Sequence, residues 1–455
     1  MRVVTLKKEL TAADISSVLS AHANTAQRIL KLKRYYNGRH DILFNKAGRK
    51  FGAPNNRLVS NYPRYITNMA TGFFIGQPVA YQAAAGKEKE LEILLDIFKY
   101  NDEAAHNLQL ATELSVTGES YEVLYIDGDA NIRFCAVPSE EMIMVCEATL
   151  EENPICAIRH YKVYGLDGSN YDEFVDVYDA DKITHYSCFG SSLKLISEEQ
   201  HYFGDVPVVE YINNYERRGD FEDVMTLVDA YNMAQSLTLD DLMDFTDAFL
   251  ILKNLLGTDE EDIQRLRKDK AIMLPSDGDA SWLIKNINDT YVENVKNRLQ
   301  KDIHKFSHVP DMSDENFTGN TSGVAIKYKL IGLEQIRSRK EREFKKSLQR
   351  RIEIIAGMLK LKNQAQIDFR DIDFQFTANI PANILEQAQI VNQLDGLVSQ
   401  KTLIGLLPFV ADPAEEVEKL SGERNEEIKL SDAGNYPALK HEHGGKENDD
   451  RSSKT

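Results

Sequence analysis

Positive charge is what this 455-residue chain most lacks. Lys and Arg number 54 against 72 Asp and Glu, a formal net charge of −18. That is the wrong sign for a protein that clings to nucleic acid through phosphate contacts. Either DNA is not a partner, or it is a partner that must not stick. Cysteine is scarce as well. Cys135, Cys146, Cys156 and Cys188 stand 11, 10 and 32 residues apart, which excludes the short spacings of a zinc knuckle or a redox pair. Free, mostly buried thiols in a reducing compartment are the expectation. Long apolar runs are missing too. The longest, Ala248 to Leu256, contains Lys253 and is too short to span a bilayer. No apolar h-region follows Met1. A protein made in the cytoplasm, with no membrane partner, is expected. In that setting Asn316-Phe317-Thr318 and Asn320-Thr321-Ser322 carry no glycosylation meaning.

Catalytic signatures are absent: there is no Walker A loop, dinucleotide fingerprint, helical pair of metal histidines or nucleophile elbow. No catalytic residue, cofactor or metal site is expected. His441-Glu442-His443 reads as a solvated segment of the tail. Asp127-Gly128-Asp129 lacks the later ligands of a calcium loop and reads as a hairpin turn. Asp172, Glu173 and Asp176 are the cluster an enzyme of carboxylate type would use, and read better as polar positions of a hairpin.

What is present is organisation. Thr11 to Asp14 reads as a capping box opening a helix towards Arg34. A second helix covers Asn61 to Phe74, and Lys87 to Val116 reads as one long helix. The period then changes. A hairpin over 121–137 and strands at 142–146, 155–163, 174–178 and 182–187 make the first half a mixed α+β lobe. Phe221 to Leu256 has neither Pro nor Gly, with apolar residues at near-helical spacing, and predicts a helix of up to 36 residues, roughly 50 Å long. Helices over Thr290–Phe306 and Val324–Leu359 follow. Between the first two lies a small module at 257–289, with a helix at 259–268 and strands at 271–274 and 282–285. A module so small cannot bury a core alone, but packing against copies of itself would solve that. After an alternating strand at 367–376, Pro381 leads into helices ending near Leu420, and the tail from Ser421 is poor in apolar residues and predicted disordered.

Charge is patterned along the helices. Asp240, Asp241, Asp244 and Asp247 fall largely on one face of the first long helix, while Lys296, Arg298, Lys301 and Lys305 make the second basic. Both read as solvated faces or as faces that meet each other, within one subunit or between neighbours. Val324–Lys360 carries 11 Lys and Arg against 4 Glu, and an acidic neighbouring subunit is its expected partner, with phosphate the alternative.

Several stretches together resemble the portal family of long-tailed phages infecting Gram-positive bacteria. They are Asn55-Asn56-Arg57 with Gly76-Gln77-Pro78-Val79, Phe203 to Val208, Asp229-Ala230-Tyr231-Asn232 with Ser236, and His308 to Phe317 running into Thr321 to Ala325. The resemblance covers roughly Tyr35 to Leu420. It implies a portal fold: a mixed wing (1–220), a first stem helix (221–256), a clip (257–289), a second stem helix (290–309), a tunnel loop (310–323), a long helix plus strand returning to the wing (324–380) and a helical crown (381–420), before the tail (421–455). It implies a homododecamer at one capsid vertex of the virion, assembled in the host cytoplasm. Double-stranded DNA would pass through the channel. The other partners implied are the terminase large subunit, the head–tail adaptor, and the major capsid and scaffolding proteins.

On that mapping the loop residues Asp311, Ser313, Asp314, Glu315, Asn316, Thr318 and Asn320 face DNA, the acidic ones repelling it and the polar ones touching phosphates transiently. Asp240, Asp244, Asp247, Arg298, Lys301 and Lys305 form the stem's charged faces. Asp259, Arg265, Lys268 and Trp282 meet partners at the clip. Twelve chains would carry −216 in all, a field that keeps a duplex mobile rather than bound. The alternatives are a helical scaffold or adaptor without DNA passage and a carboxylate enzyme.

Overall fold

The computed structural model describes residues 1–44, 55–190, 192–245, 249–253, 279–283, 289–312 and 323–378, then 384–407, 410, 413 and 416–423. The chain divides into two compact units, Met1–Asn379 and Ile380–Thr455. Helices combined with mainly antiparallel sheets give the expected α+β class.

The first unit opens with β1 (Arg2–Thr5) and α1 (Ala12–Tyr36). The capping box at Thr11 forms: its N–H donates to Asp14 at 3.0 Å, and the Asp14 N–H donates to the Thr11 hydroxyl at 3.3 Å. Then come α2 (Tyr62–Ile75), β2 (Ala80–Ala83), α3 (Glu88–Tyr100) and α4 (Glu103–Thr117). The single helix expected over 87–116 is therefore two. Asp102 adopts a left-handed φ of 49°, and the Asn101 amide donates to the Ile97 and Ile132 carbonyls at 2.8 and 3.0 Å. Asn and Asp tolerate left-handed backbone and offer it local hydrogen bonds, which here outweigh the unbroken apolar spacing.

Two sheets follow. β3 (Glu119–Ile126) and β4 (Ile132–Val137) make the expected hairpin, whose turn is held by the Asp127 carboxylate accepting from the Asp129 and Asn131 amides at 3.0 and 2.8 Å. β5 (Met142–Glu147), β6 (Pro154–Tyr164), β7 (Tyr171–Tyr178), β8 (Lys182–Phe189) and β9 (Ser192–Gln200) form an antiparallel meander, with β1 parallel to β5 at one edge. The sequence reading omits β9, because nearly all its residues are exposed and they lack alternation. β10 (Val208–Ile212) pairs with the free edge of β3. The apolar run of β5 has a plain cause: both of its faces are covered. Met142, Met144 and Cys146 pack with Tyr121 and Val208, whereas Ile143 and Val145 pack with Ile15 of α1 and with Ile158 and Val175.

Next come α5 (Met225–Phe245), β11 (Phe249–Lys253), β12 (Asp279–Leu283), α6 (Asp289–Ser307), α7 (Gly323–Lys329) and α8 (Ile331–Leu361), and β13 (Ile372–Gln375) pairs with β2. The helix expected over 324–359 thus carries one irregularity, at Leu330, and the strand expected over 367–376 shortens behind a 3-10 turn at Phe369–Asp371. Phe344, Leu348, Ile352 and Ile355 of α8 join Phe74, Leu110, Leu114 and Leu124 in the largest apolar core. The second unit holds α9 (Ile384–Leu394) and α10 (Gln400–Ile404); of the tail predicted disordered from Ser421, residues 421–423 are helical and residues 424–455 lie outside the described residues.

Three basic residues of α8, Lys340, Arg350 and Arg351, find counter-charges inside their own chain. Arg351 is fully buried. Its guanidinium donates to Glu122 at 3.0 Å, Glu103 at 3.2 Å and Asn107 at 2.9 Å, and lies 4.8 Å from the Phe134 ring centre. Tyr211 donates to Glu122 at 2.7 Å, and His106 stands 3.0 Å from the other oxygen of that carboxylate. Lys340, also buried, meets Asp220 at 2.6 Å, and Arg350 meets Asp205 at 2.6 Å. Sequence spacing hides this, because the carboxylates sit more than a hundred residues away.

Burial pushes the Glu122 carboxyl up, but Arg351 and His106 outweigh it and hold its pKa down at about 2. A depressed carboxyl stabilises the fold fully above its unfolded value and loses that contribution as pH falls through the folded one. Stability should therefore drop as pH falls from about 4.5 to about 2. Arg351→Ala, which strands two carboxylates, should cost about 3–5 kcal/mol at neutral pH and flatten that acid limb. Urea unfolding of both proteins at several pH values checks this.

Candidate functional site: the helix pair and its anchors

α5 and α6 pack against each other. With 21 and 19 residues they are about 31 and 28 Å long. The sequence reading takes 221–256 as one helix. In the structure a 3-10 turn (Glu222–Val224) precedes α5, which stops at Phe245, and Phe249–Lys253 becomes a strand. Absence of Pro and Gly permits a helix without requiring one, and a short apolar run such as Phe-Leu-Ile-Leu suits a strand equally. What decides is distant: β11 pairs antiparallel with β12, Phe249 opposite Leu283 and Leu250 opposite Trp282. The strand thus begins at Asp279, not Trp282, and the expected strand at 271–274 lies outside the described residues, as do Asp259, Arg265 and Lys268.

An extended segment clamps α5. The amides of Asn56, Leu58 and Ser60 donate to Asp240 (2.7 Å), Ser236 (2.9 Å) and Asn232 (2.7 Å) respectively. Two residues of extended chain rise about 6.6 Å and four residues of helix about 6 Å, so alternate amides meet every fourth helical side chain. Asn232 is held in turn by His40 at 2.9 Å, and Asp229 accepts from Tyr35 at 3.0 Å. Two of the stretches that carry the family resemblance, around Asn56 and around Asn232 and Ser236, therefore touch. Asp240 is buried at 2% exposure, so it does not belong to a solvated acidic face. Asp247 lies outside the described residues, and Asp244 falls on the last turn of α5.

A second set of contacts fixes the start of the 310–323 loop. His304 Nδ1 donates to the Val309 carbonyl at 2.9 Å, Tyr65 donates to the Pro310 carbonyl at 2.9 Å, and the Met312 amide donates to the Tyr65 hydroxyl at 2.9 Å. Asp311 accepts from Gln300 at 2.9 Å and faces His304 Nε2 at 3.7 Å. His308 takes a φ of 58°, and a Cβ on Gly332 would stand 2.7 Å from its carbonyl oxygen, so only glycine fits there. Asp311 thus belongs to the foot of the loop. The other expected loop residues, Ser313, Asp314, Glu315, Asn316, Thr318 and Asn320, lie outside the described residues. Sequence reasoning missed Tyr65, Gln300 and His304, because single residues on a helix leave no local signal.

Three of the basic residues of α6 stay at the surface, while Lys296 is half-buried and meets Glu293 at 2.9 Å. Arg298 is 86% exposed, 3.9 Å from Asp302, and Lys301 and Lys305 are exposed. In the candidate enzyme cluster, Asp176 accepts from His185 at 2.7 Å and Glu173 meets Lys162 at 3.0 Å, as cross-strand structural pairs. Cys146, Cys156 and Cys188 are buried and Cys135 exposed, all four as free thiols. No helix of the described residues is long and apolar enough to cross a membrane.

α5, α6 and the β11–β12 pair that lies between them in sequence all fall within the span over which the chain matches the protein class that builds phage portals. Residues 15–430 match the family model described as phage portal protein, SPP1 Gp6-like, and the chain belongs to that family. It is similar to the portal protein of Clostridium phage phiCD119, 28% identical over 89% of this chain and 94% of that one. It is similar also to the portal protein of Bacillus phage SPP1, 24% identical over 93% of this chain and 89% of the relative. A solved structure titled "Neck of native GTA particle computed with C12 symmetry" aligns over 82% of this chain and 99% of its own, with a TM-score of 0.44 and 12% identity. The family is structural rather than enzymatic, and phage portal proteins are virion components at the capsid.

Replacing Asp240 by Ala removes the acceptor for the Asn56 amide. Amide exchange at Asn56 should accelerate about 5- to 150-fold, as expected for a lost hydrogen bond of about 1–3 kcal/mol, while Arg298→Ala leaves it unchanged. Exchange measured by NMR or mass spectrometry checks both.

Proposed function

We propose that twelve copies form a ring at one capsid vertex, with α5 and α6 as staves around a channel for double-stranded DNA. The ring assembles in the host cytoplasm, joins the major capsid and scaffolding proteins, docks the terminase large subunit during packaging and later the head–tail adaptor, and catalyses nothing itself. One observation carries this reading. The helix pair leaves large apolar side chains uncovered in a single chain: Leu237 at 42%, Leu242 at 57%, Val295 at 37% and Phe306 at 54% exposure. Helices apolar beyond what their own chain buries need further copies to cover them.

The sign of the charge fits passage without binding. Each chain brings −18, so a ring repels the duplex, and only scattered polar loop groups (Ser313, Asn316, Thr318 and Asn320) touch phosphates in passing. Lys at those four positions should slow DNA packaging through counterion-release binding; unchanged packaging in vitro contradicts the channel-loop assignment.

Pairing between subunits is narrower than sequence suggests, since Asp240 is taken up internally. Asp244 and Asp247 are the acidic partners proposed for Lys301 and Lys305 of a neighbour. Exposed pairs are worth about 0–1 kcal/mol each, so their effect comes from repetition around the ring. Asp244→Lys with Asp247→Lys should shift rings to smaller species in light scattering, and Lys301→Glu with Lys305→Glu should restore them. Normal rings from the first pair alone rule the contact out.

A further inference from the structure

We propose that His160, Glu173 and Cys188 form a binding site for a divalent transition-metal ion of the zinc type. They lie on three consecutive strands, β6, β7 and β8. Glu173 is directly opposite Cys188 in the ladder, and Lys162 is directly opposite Glu173, which puts His160, two residues back on β6, on the same face. One ligand atom from each of the three falls within 4.8 Å of the others. On this face the strands begin as core, with Ile158, Val175 and Val177 packed under Ile15 of α1, and turn polar where the triad sits.

The donor set is one that zinc takes: imidazole nitrogen, carboxylate oxygen and thiolate sulfur, with a fourth position left for water or a partner's group. Bonds of about 2.0–2.3 Å at tetrahedral angles separate ligand atoms by roughly 3.3–3.6 Å. His160 Nε2 and a Glu173 oxygen are already 3.6 Å apart, so closure asks mainly for a rotation of Cys188. Two details favour an ion over a bare polar cluster. His160 Nε2 is shielded from solvent and has no hydrogen-bond partner, a cost that a metal bond removes. Lys162 holds the other oxygen of Glu173 at 3.0 Å, which orients the carboxylate and leaves one oxygen for the ion. The Cys188 thiol donates to the Gly190 carbonyl at 3.3 Å; metal binding replaces that bond and releases the thiol proton to solvent. The ligands are 13 and 15 residues apart, so no metal-site spacing marks them. The bound ion would pin three strands together at one end of the sheet, close to exposed Tyr164, Tyr171 and Phe189.

Cobalt(II) titration of the reduced full-length protein tests this, because a thiolate-to-cobalt charge-transfer band reports a cysteine ligand and is blind to His441 and His443. One equivalent of Co2+ should raise the band and Zn2+ should remove it. Cys188→Ser should abolish it, His160→Gln should weaken binding at least tenfold, and Cys135→Ser should leave it intact, with folding verified by circular dichroism. If Cys188→Ser does not fold, Glu173→Gln takes its place and should weaken binding likewise. Absence of the band in the wild-type protein, its persistence in Cys188→Ser, or equal affinity in His160→Gln or Glu173→Gln overturns the proposal.

Discussion

Everything that a stave-like helix pair can do depends on its being aimed, and in this chain the aim is set by a match of pitches. Alternate amides of residues 56–60 meet side chains of α5 four residues apart, at Asp240, Ser236 and Asn232. Hydrogen bonds between two partners of nearly equal repeat fix direction and register together, which an apolar contact of the same area does not. Neighbouring groups extend the hold, through His40 on Asn232 and Tyr35 on Asp229. At the other helix the foot of the loop is tied to Tyr65 and Gln300. The apolar surfaces of α5 and α6 are thus presented from fixed bases.

Electrostatics in this chain are sorted by depth. Deep inside, Arg351 and Lys340 meet carboxylates of a strand, a helix start and a loop, where a broken pair leaves an isolated charge. At the surface, Arg298, Lys301 and Lys305 face solvent on a chain that is acidic as a whole. The buried set positions α8 against the sheets; the surface set and the net charge govern what approaches. A ring built from such chains repels a duplex without needing an acidic residue at every lining position.

Much of this was legible. The capping box at Thr11, the hairpin at Asp127 and four meander strands follow from local turn chemistry and period, and the α+β class with them. The family resemblance was legible from several short stretches, two of which, around Asn56 and around Asn232 and Ser236, come together in the fold. What was not legible is non-local. Nothing near Phe249 says that it will pair with Leu283 and end a helix. Asp240 looks like a solvated acid until Asn56 arrives from 184 residues away. Nor does anything near Arg351 and Lys340 say that their partners are Glu122, Glu103 and Asp220 of the same chain.

The central claim is that the exposed faces of α5 and α6 are covered by further copies around an open axis. Electron microscopy of the purified full-length protein tests it most directly. Twelve-fold rings of about 600 kDa, built from the 51.7 kDa chain and with an axial hole bounded by these two helices, are the predicted result. Monomers, or assemblies closed along their axis with the helix pair buried elsewhere, contradict it.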